Sequence, residues 1–203
     1  MRSLIVTEFL SLDGVVDSPG GGEHPHAGWT FKDVEFDMAA YELKGREQQE
    51  AGAMLIGRVS YDEFAPVWPT MEEFAEYNAM PKYVVSSTLT DPTWNNTTVI
   101  DSDVVAAVTA LKEQPGRELQ VHGSCGLVHT LHDAGLVDEY RLIVAPVVLG
   151  SGKKLFAEGS APTGFGLVTS ERTAAGCLYA VLRPSGEVRV AEAAVQYGKD
   201  VIV

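Results

Sequence analysis

Short apolar runs alternate along the chain with segments in which apolar residues recur every three or four positions. The run from Leu4 to Leu10 is typical of a buried strand, whereas the spacing between Phe36 and Gln49 is helical. In the last third of the chain strands follow one another, so the pattern predicts a single α/β domain with a mostly parallel sheet and an antiparallel C-terminal edge. The predicted strands are 4–10, 54–56, 82–86, 98–100, 118–122, 139–148, 166–173, 177–182 and 188–191; the predicted helices are 36–49, 59–64, 71–79, 104–114 and 126–134, and a turn is predicted at 184–186.

Charge narrows the range of partners. The 203 residues carry a formal net charge of −13, from 28 acidic and 15 basic side chains. Such a surface repels nucleic acid and anionic membranes, so an anionic ligand must be held locally by backbone N–H groups and a few cations. The two cysteines, Cys125 and Cys177, form no metal-type or disulfide-type pattern. With neither a signal peptide nor a membrane-length apolar run, we expect a cytoplasmic protein.

Glycine joins a strand directly to a helix at two places, 56–61 and 121–128. The free N–H groups of a first helical turn attract anions, and glycine allows a phosphate to come close to the backbone. Arg58 adds a cation and Ser60 a hydroxyl. Either junction alone is more simply a tight turn, but the pair favours a ligand with more than one phosphate.

Five motifs in order resemble the dihydrofolate reductase-like superfamily, and most of all the reductase domain of the bifunctional riboflavin-biosynthesis deaminase/reductase. The resemblance covers roughly residues 1 to 183 and implies a three-layer fold, a mostly parallel central sheet with an antiparallel C-terminal hairpin, and NADPH lying across the strand ends. The motifs are Ser11-Leu12-Asp13-Gly14, Gly57-Arg58-Val59-Ser60-Tyr61, Tyr83-Val84-Val85-Ser86-Ser87-Thr88, Val121-His122-Gly123-Ser124, and the segment 145–152 followed by Leu155-Phe156.

The cofactor site implied by the resemblance draws on the first strand end and on three turns. Gly126 stands where several family members carry a basic residue for the 2′-phosphate, which leaves Arg58 and Lys82 as the cations and keeps the choice between NADPH and NADH open. The implied cofactor-binding residues are Val16, Gly57, Arg58, Val59, Ser60, Ser86, Ser87, Gly123, Ser124, Cys125, Gly126 and Leu127.

The substrate side rests on fewer residues. The candidate catalytic carboxylates are Asp13, which either contacts substrate or shapes its turn, and Asp33 and Asp37, which would share a helix face. Folate-reducing members use one carboxylate from that helix, and an ungapped alignment does not decide which residue corresponds to it. The expected substrate contacts are Trp29, Tyr61 and Pro146.

Other chemistry-bearing residues receive simpler interpretations. His24 and His26 lack a third metal ligand nearby, so no metal is expected, and His122, His129 and His132 suggest a surface stripe. Cys125 would begin a helix, where a thiolate is favoured, but no paired base or resolving cysteine accompanies it.

Three functions remain open. The first is an NADPH-dependent reductase of a small heterocyclic or ribityl-type substrate, similar to the 5-amino-6-(5-phosphoribosylamino)uracil reductase of riboflavin biosynthesis; true dihydrofolate reduction fits less well. The second is a non-catalytic NADPH-binding module, and the third a metal-dependent hydrolase using His24 and His26. From the resemblance we also expect a homodimer, with residues 140–149 and 188–203 as the candidate interface.

Overall fold

The computed structural model describes residues 1–32, 37–188, 193–196 and 199–202. Two short 3-10 turns, Trp68–Thr70 and Glu72–Phe74, precede the fourth helix. The strands are β1 Leu4–Leu10, β2 Ala51–Gly57, β3 Lys82–Val85, β4 Thr97–Ile100, β5 Glu118–His122, β6 Glu139–Val144, β7 Gly164–Arg172, β8 Leu178–Gly186, β9 Ala193–Gln196 and β10 Lys199–Ile202; the helices are α1 Trp29–Lys32, α2 Met38–Glu50, α3 Arg58–Phe64, α4 Ala75–Ala79, α5 Val104–Glu113 and α6 Cys125–Asp133.

Eight strands form one sheet in the order β4-β3-β2-β5-β1-β6-β8-β7. The pairs from β4 to β6 are parallel, whereas β8 is antiparallel to both β6 and β7. The predicted α/β class, with a mostly parallel sheet and an antiparallel C-terminal edge, is confirmed. The parallel arrangement brings the carboxyl ends of β1, β2, β3 and β5 to the same edge of the sheet, where the predicted glycine turns follow β2 and β5.

Side chains alternate between the two faces of the sheet, and each face is covered by helices. Val6 and Val121 pack with Val108 of α5 and Leu131 of α6 on one face. On the other face, Ile143 packs with α2 and with the first loop, and the aromatic residues of α3 and α4 cover β2 and β3. The result is the three-layer arrangement that the resemblance implies.

Among the predicted elements, the turn at 184–186 and the helix at 71–79 differ most from the structure, and the strand at 188–191 lies mostly outside the described residues. The expected turn at 184–186 lies inside β8, where Pro184 faces Phe165 of β7. Pairing between β8 and β6 ends at Leu182, so this part of β8 has a free side, and proline is tolerated there because no neighbour needs its N–H. The helix predicted at 71–79 is split into a 3-10 turn and the short α4. Of the strand predicted at 188–191, only Val188 is among the described residues.

The predicted interface around residues 140–149 stays a prediction, but its strand residues are not free to form it. Tyr140 and Ile143 are fully buried because β6 is an interior strand between β1 and β8. The side chains of the predicted tail segment beyond residue 188 lie outside the described residues. Among the described residues, exposed apolar side chains lie on the edge strand β7 at Leu167 and Val168, at Leu178 of β8, and at Val148 within the predicted segment. None of the helices in the described part of the chain has the length and hydropathy needed to span a bilayer.

Candidate phosphate site and substrate pocket

The two glycine turns contact each other. The N–H of Gly57 donates to Ser124 Oγ at 2.8 Å, and the N–H of Ser124 donates to Ser60 Oγ at 3.0 Å. The two serine hydroxyl oxygens are 2.9 Å apart. Because β2 pairs directly with β5, the turns that follow these strands form one continuous surface.

The backbone after β5 depends on glycine. Gly123 has φ +59°, and a Cβ atom added there would lie 2.8 Å from Ser60 Oγ. Ser124, the N-cap of α6, is also left-handed at φ 62°, and its side chain makes no capping bond to its own helix. The N–H groups of Cys125 and Gly126 therefore belong to an uncapped helix start of the kind that binds phosphate, whereas the N–H of Leu127 donates to the carbonyl of Ser124 at 2.8 Å.

Arg58 connects this surface to the turn after β3. Its guanidinium pairs with Asp62 at 2.8 Å and donates to Thr88 Oγ1 at 3.2 Å. Ser86 is buried and accepts hydrogen bonds from the N–H groups of Thr88 and Leu89, whereas Ser87 and Val59 are exposed. The predicted cofactor residues of β2, β3 and β5 thus lie side by side along one edge of the sheet.

Lys82 does not contribute a cation to this edge, contrary to the prediction. Its side chain is fully buried, and Nζ donates to the carbonyls of Tyr77, Asn78 and Met80 at 2.8–2.9 Å. It also lies 4.8 Å from the ring centroid of Trp94. Lys82 therefore closes the end of α4 and is not available to a phosphate, which leaves Arg58 as the predicted cation that lies at the site.

Asp13 ties together the loops that follow β1 and β6. Its carboxylate accepts from Ser11 Oγ at 2.7 Å and from the N–H groups of Leu149 and Gly150 at 3.1 and 2.8 Å. These hydrogen bonds, that of Ser11 first, lower the pKa of Asp13 to about 2, so the group is ionised at neutral pH. This geometry favours the turn-shaping role over proton donation.

Asp37 is the predicted helix carboxylate that the structure describes, while Asp33 lies outside the described residues. Asp37 is buried and caps α2, accepting from the N–H of Ala40 at 3.2 Å and from the hydroxyl of Thr173. It borders a small cavity together with Phe9 of β1 and Ala145 beyond β6. Asp37 therefore lies near the strand ends, held by the cap of α2 and by Thr173.

Two predicted substrate contacts lie in the core. Trp29 has no exposed surface, and its Nε1 donates to the carbonyl of Asp17 at 2.9 Å. The hydroxyl of Tyr61, which is 4% exposed, accepts from the N–H groups of Thr93 and Trp94. Both rings are held by loops that cover them, so neither presents a face to a ligand in this structure. Pro146 is exposed, and Val16 is buried with its N–H donating to the carbonyl of Lys153.

The sequence interpretation missed a polar cluster on the face of the sheet that α2 covers. Lys44 contacts the hydroxyl of Thr7 and pairs with Glu47 at 3.2 Å. His122 is buried, not part of a surface stripe, and burial lowers its pKa to about 3, so the imidazole is neutral. The polar pair Thr7-Glu8 inside the apolar run of β1 was a signal for this cluster, because polar residues in a buried strand need partners.

The metal and thiolate alternatives gain no support. Among the residues that the structure describes, no group of histidines, cysteines and carboxylates could hold a metal ion. Burial raises the pKa of Cys125 to about 11, and its Sγ lies 2.7 Å from the carbonyl of Lys154. His132 is buried rather than exposed.

The sheet order, the antiparallel hairpin at one edge and the turns at the strand ends define a dihydrofolate reductase-like α/β fold. The chain belongs to the RibD C-terminal domain family, whose model matches residues 2–179, and this confirms the resemblance.

Known proteins and solved structures agree with this assignment. The uncharacterized protein YyaP of Bacillus subtilis is 28% identical over 164 residues, which cover 77% of this chain and 81% of YyaP. A candidate riboflavin biosynthesis protein from Shewanella sp. PV-4 superposes with a TM-score of 0.69 at 20% identity, covering 91% of this chain and 99% of that one. A diaminohydroxyphosphoribosylaminopyrimidine deaminase/5-amino-6-(5-phosphoribosylamino)uracil reductase from Thermotoga maritima superposes with a TM-score of 0.64 at 15% identity, covering 90% of this chain and 56% of that one.

Proposed function

We propose that the chain is an NADPH-dependent reductase of a small heterocyclic or ribityl-type substrate. The observation that carries the proposal is the contact between the turns after β2 and β5, through Gly57, Ser60 and Ser124. It joins two anion-favouring backbone segments on a chain whose net charge of −13 disfavours anions elsewhere.

The order of the strands matches the order of groups in a dinucleotide. Ser86 and Ser87 after β3 would flank the adenosine ribose, and the joined turns after β2 and β5 would hold the phosphates. The nicotinamide end would then lie over β1, the next strand in the sheet. Glycine at position 123 lets the turn after β5 pack against Ser60, whose Oγ a Cβ would meet at 2.8 Å, and Arg58 would be the cation that favours NADPH over NADH.

Bound NADPH supplies the hydride, so the protein needs few reactive groups of its own. Its residues position the cofactor and substrate and exclude water. Asp37, buried beside the cavity next to Phe9 and Ala145, is the group placed to hold a proton for the substrate. Membership of the RibD C-terminal domain family and the name of the Thermotoga maritima protein support a pyrimidine or related heterocycle with a ribityl-type substituent.

Calorimetric titration with NADPH and with NADH tests the proposal. The Gly57→Asp/Ser124→Asp double variant should lose NADPH binding, because two carboxylates would face the phosphates. A Ser3→Asp/Gly45→Asp variant adds the same charge at exposed positions, one before β1 at the opposite end of the sheet and one on α2, and should bind like the wild type.

The outcomes separate the candidate functions. Binding that is lost only in the first variant supports the phosphate site and justifies a substrate screen by absorbance of cofactor oxidation, with dihydrofolate among the compounds. Tight binding without turnover of any compound would favour the non-catalytic module. No binding of either cofactor would overturn the reductase proposal.

A further inference from the structure

Glu8 is a buried carboxyl group at the end of the sheet where the cofactor turns lie. It is 4% exposed, and its Oε1 has no hydrogen-bond partner. Among the described residues, the hydroxyl of Thr97 on β4 is the other buried side-chain oxygen in this condition. The carboxyl group is hydrogen-bonded by the N–H of Gly123, but buried polar atoms in folded proteins are nearly always paired, so the one carboxyl oxygen left unpaired beside a candidate site points to a ligand.

The position of Glu8 follows from the pairing of β1. Thr7 lies opposite His122, the last residue of β5, so Glu8 stands level with the turn that begins at Gly123. Alternation along β1 places Glu8 on the same face as Val6, which packs against α6. The N–H of Gly123 and the thiol of Cys125 are close enough to the carboxyl group to influence its titration or be influenced by it.

The protonation state of Glu8 defines what it can bind. Burial raises its pKa well above the ordinary value, and this outweighs the opposing effects of Lys44 and the Gly123 N–H. A neutral carboxyl group offers one O–H donor and one carbonyl acceptor side by side. A primary carboxamide offers the complementary pair, an N–H donor and a carbonyl acceptor, in one planar group.

We propose that Glu8 pairs with the carboxamide of the nicotinamide ring, an assignment that rests on the proposed NADPH-dependent function and makes Glu8 a determinant of cofactor recognition. The strand order supports it, because β1 is the strand next to the phosphate turns on the side away from the adenosine residues. Glu8 would then recognise the carboxamide, which distinguishes nicotinamide from other planar rings, while the turns after β2 and β5 would bind the phosphates.

A comparison of two cofactors in three variants tests this assignment. The probes are NADP⁺ and its 3-acetylpyridine analogue, in which a ketone replaces the carboxamide and the N–H donors are lost. We expect the wild type to bind NADP⁺ about tenfold more tightly than the analogue, the effect of roughly one hydrogen bond. Glu8→Leu should weaken NADP⁺ binding and abolish the preference, whereas Glu8→Gln should keep it because an amide also offers a donor and an acceptor. Thr97→Val, which removes the other unpaired oxygen, is the matched control and should leave the preference intact.

Each outcome bears on a particular claim. An unchanged preference in Glu8→Leu, or no preference in the wild type, overturns the role of Glu8 while leaving the reductase proposal standing. If the wild type binds neither compound, the proposed function fails and this assignment fails with it. Thermal melting shows whether Glu8→Leu folds. If it does not fold, the wild type still tests the assignment, because a wild type without a preference for NADP⁺ over the analogue rules it out.

Discussion

Gly123→Ala tests whether the contact between the two turns shapes the site. The new Cβ would lie 2.8 Å from Ser60 Oγ, 3.7 Å from Ser60 Cβ and 3.8 Å from Phe64 Cζ. To avoid this clash, the Ser60 hydroxyl must rotate away. The rotation breaks its hydrogen bond from the N–H of Ser124 and its contact with the Ser124 hydroxyl. Two hydrogen bonds contribute about 1–3 kcal/mol, and the left-handed backbone at φ +59° costs alanine about 1–2 kcal/mol.

The expected destabilisation is therefore about 3 kcal/mol, which for a domain of this size lowers the melting temperature by about 6–12 °C. Urea unfolding and thermal melting measure it. Gly126→Ala is the matched control, since an added Cβ meets no atom within 4 Å and the position is helical. Its stability should equal or slightly exceed that of the wild type.

A double-mutant cycle isolates the steric part of the effect. In a Ser60→Ala background the hydroxyl is absent, so Gly123→Ala should cost only the backbone contribution of about 1–2 kcal/mol. If Gly123→Ala were as stable as Gly126→Ala, or if its cost were the same with and without the Ser60 hydroxyl, the reasoning about the joined turns would be refuted.

Three further outcomes test other parts of the structure. Burial lowers the pKa of His122 to about 3, so below pH 6.5 the imidazole binds a proton more readily in the unfolded chain than in the folded one. The wild type should therefore lose stability relative to His122→Leu as the pH falls from 6.5. Urea midpoints that change equally with pH in both proteins would contradict this. Hydrogen bonds lower the pKa of Asp13 to about 2, so its ionised carboxylate stabilises the folded chain. The wild type should be more stable than Asp13→Asn above pH 3.8, and the difference should vanish as the pH falls through about 2. Acid unfolding curves with a difference that does not change with pH would count against this. We also propose a homodimer formed through the exposed edge strand β7: light scattering should give twice the monomer mass, Leu167→Asp should give a monomer, and a monomeric wild type at micromolar concentration would defeat the idea.

Much of the architecture could be predicted because its signals are local. The observed bounds of β1 and β5 equal the predicted ones, since β1 is a mostly apolar run, β5 alternates apolar and polar residues, and both end at turn residues. The strand-to-helix turns at Gly57 and Gly123 were also found in the sequence, because glycine between an apolar run and a helical pattern has few other uses. The limits of β8 were not found, because a proline in a strand is acceptable only where one side of that strand is unpaired, and pairing is not a local property.

The candidate site was predicted in part, and the errors share a cause. Lys82 looked like a free cation, and Trp29 looked like a surface for a planar ring. The structure buries both, the first under the carbonyl groups at the end of α4 and the second beneath the loop at Asp17. Glu8 and His122 were overlooked although each is a polar residue in a predicted strand, because the helix and the turn that bury them come from distant parts of the chain.

The sequence by itself determined the fold class, the order of the strands along the chain and the presence of two phosphate-favouring turns, because backbone conformation and hydrophobic periodicity depend on near neighbours. Only the tertiary structure decided that Ser124 would bond to Gly57 and Ser60, and that one carboxyl oxygen of Glu8 would be left unpaired beside Gly123. Ser60 and Ser124 are 64 residues apart in the chain, and the pairing of β2 with β5 is what brings them within hydrogen-bonding distance.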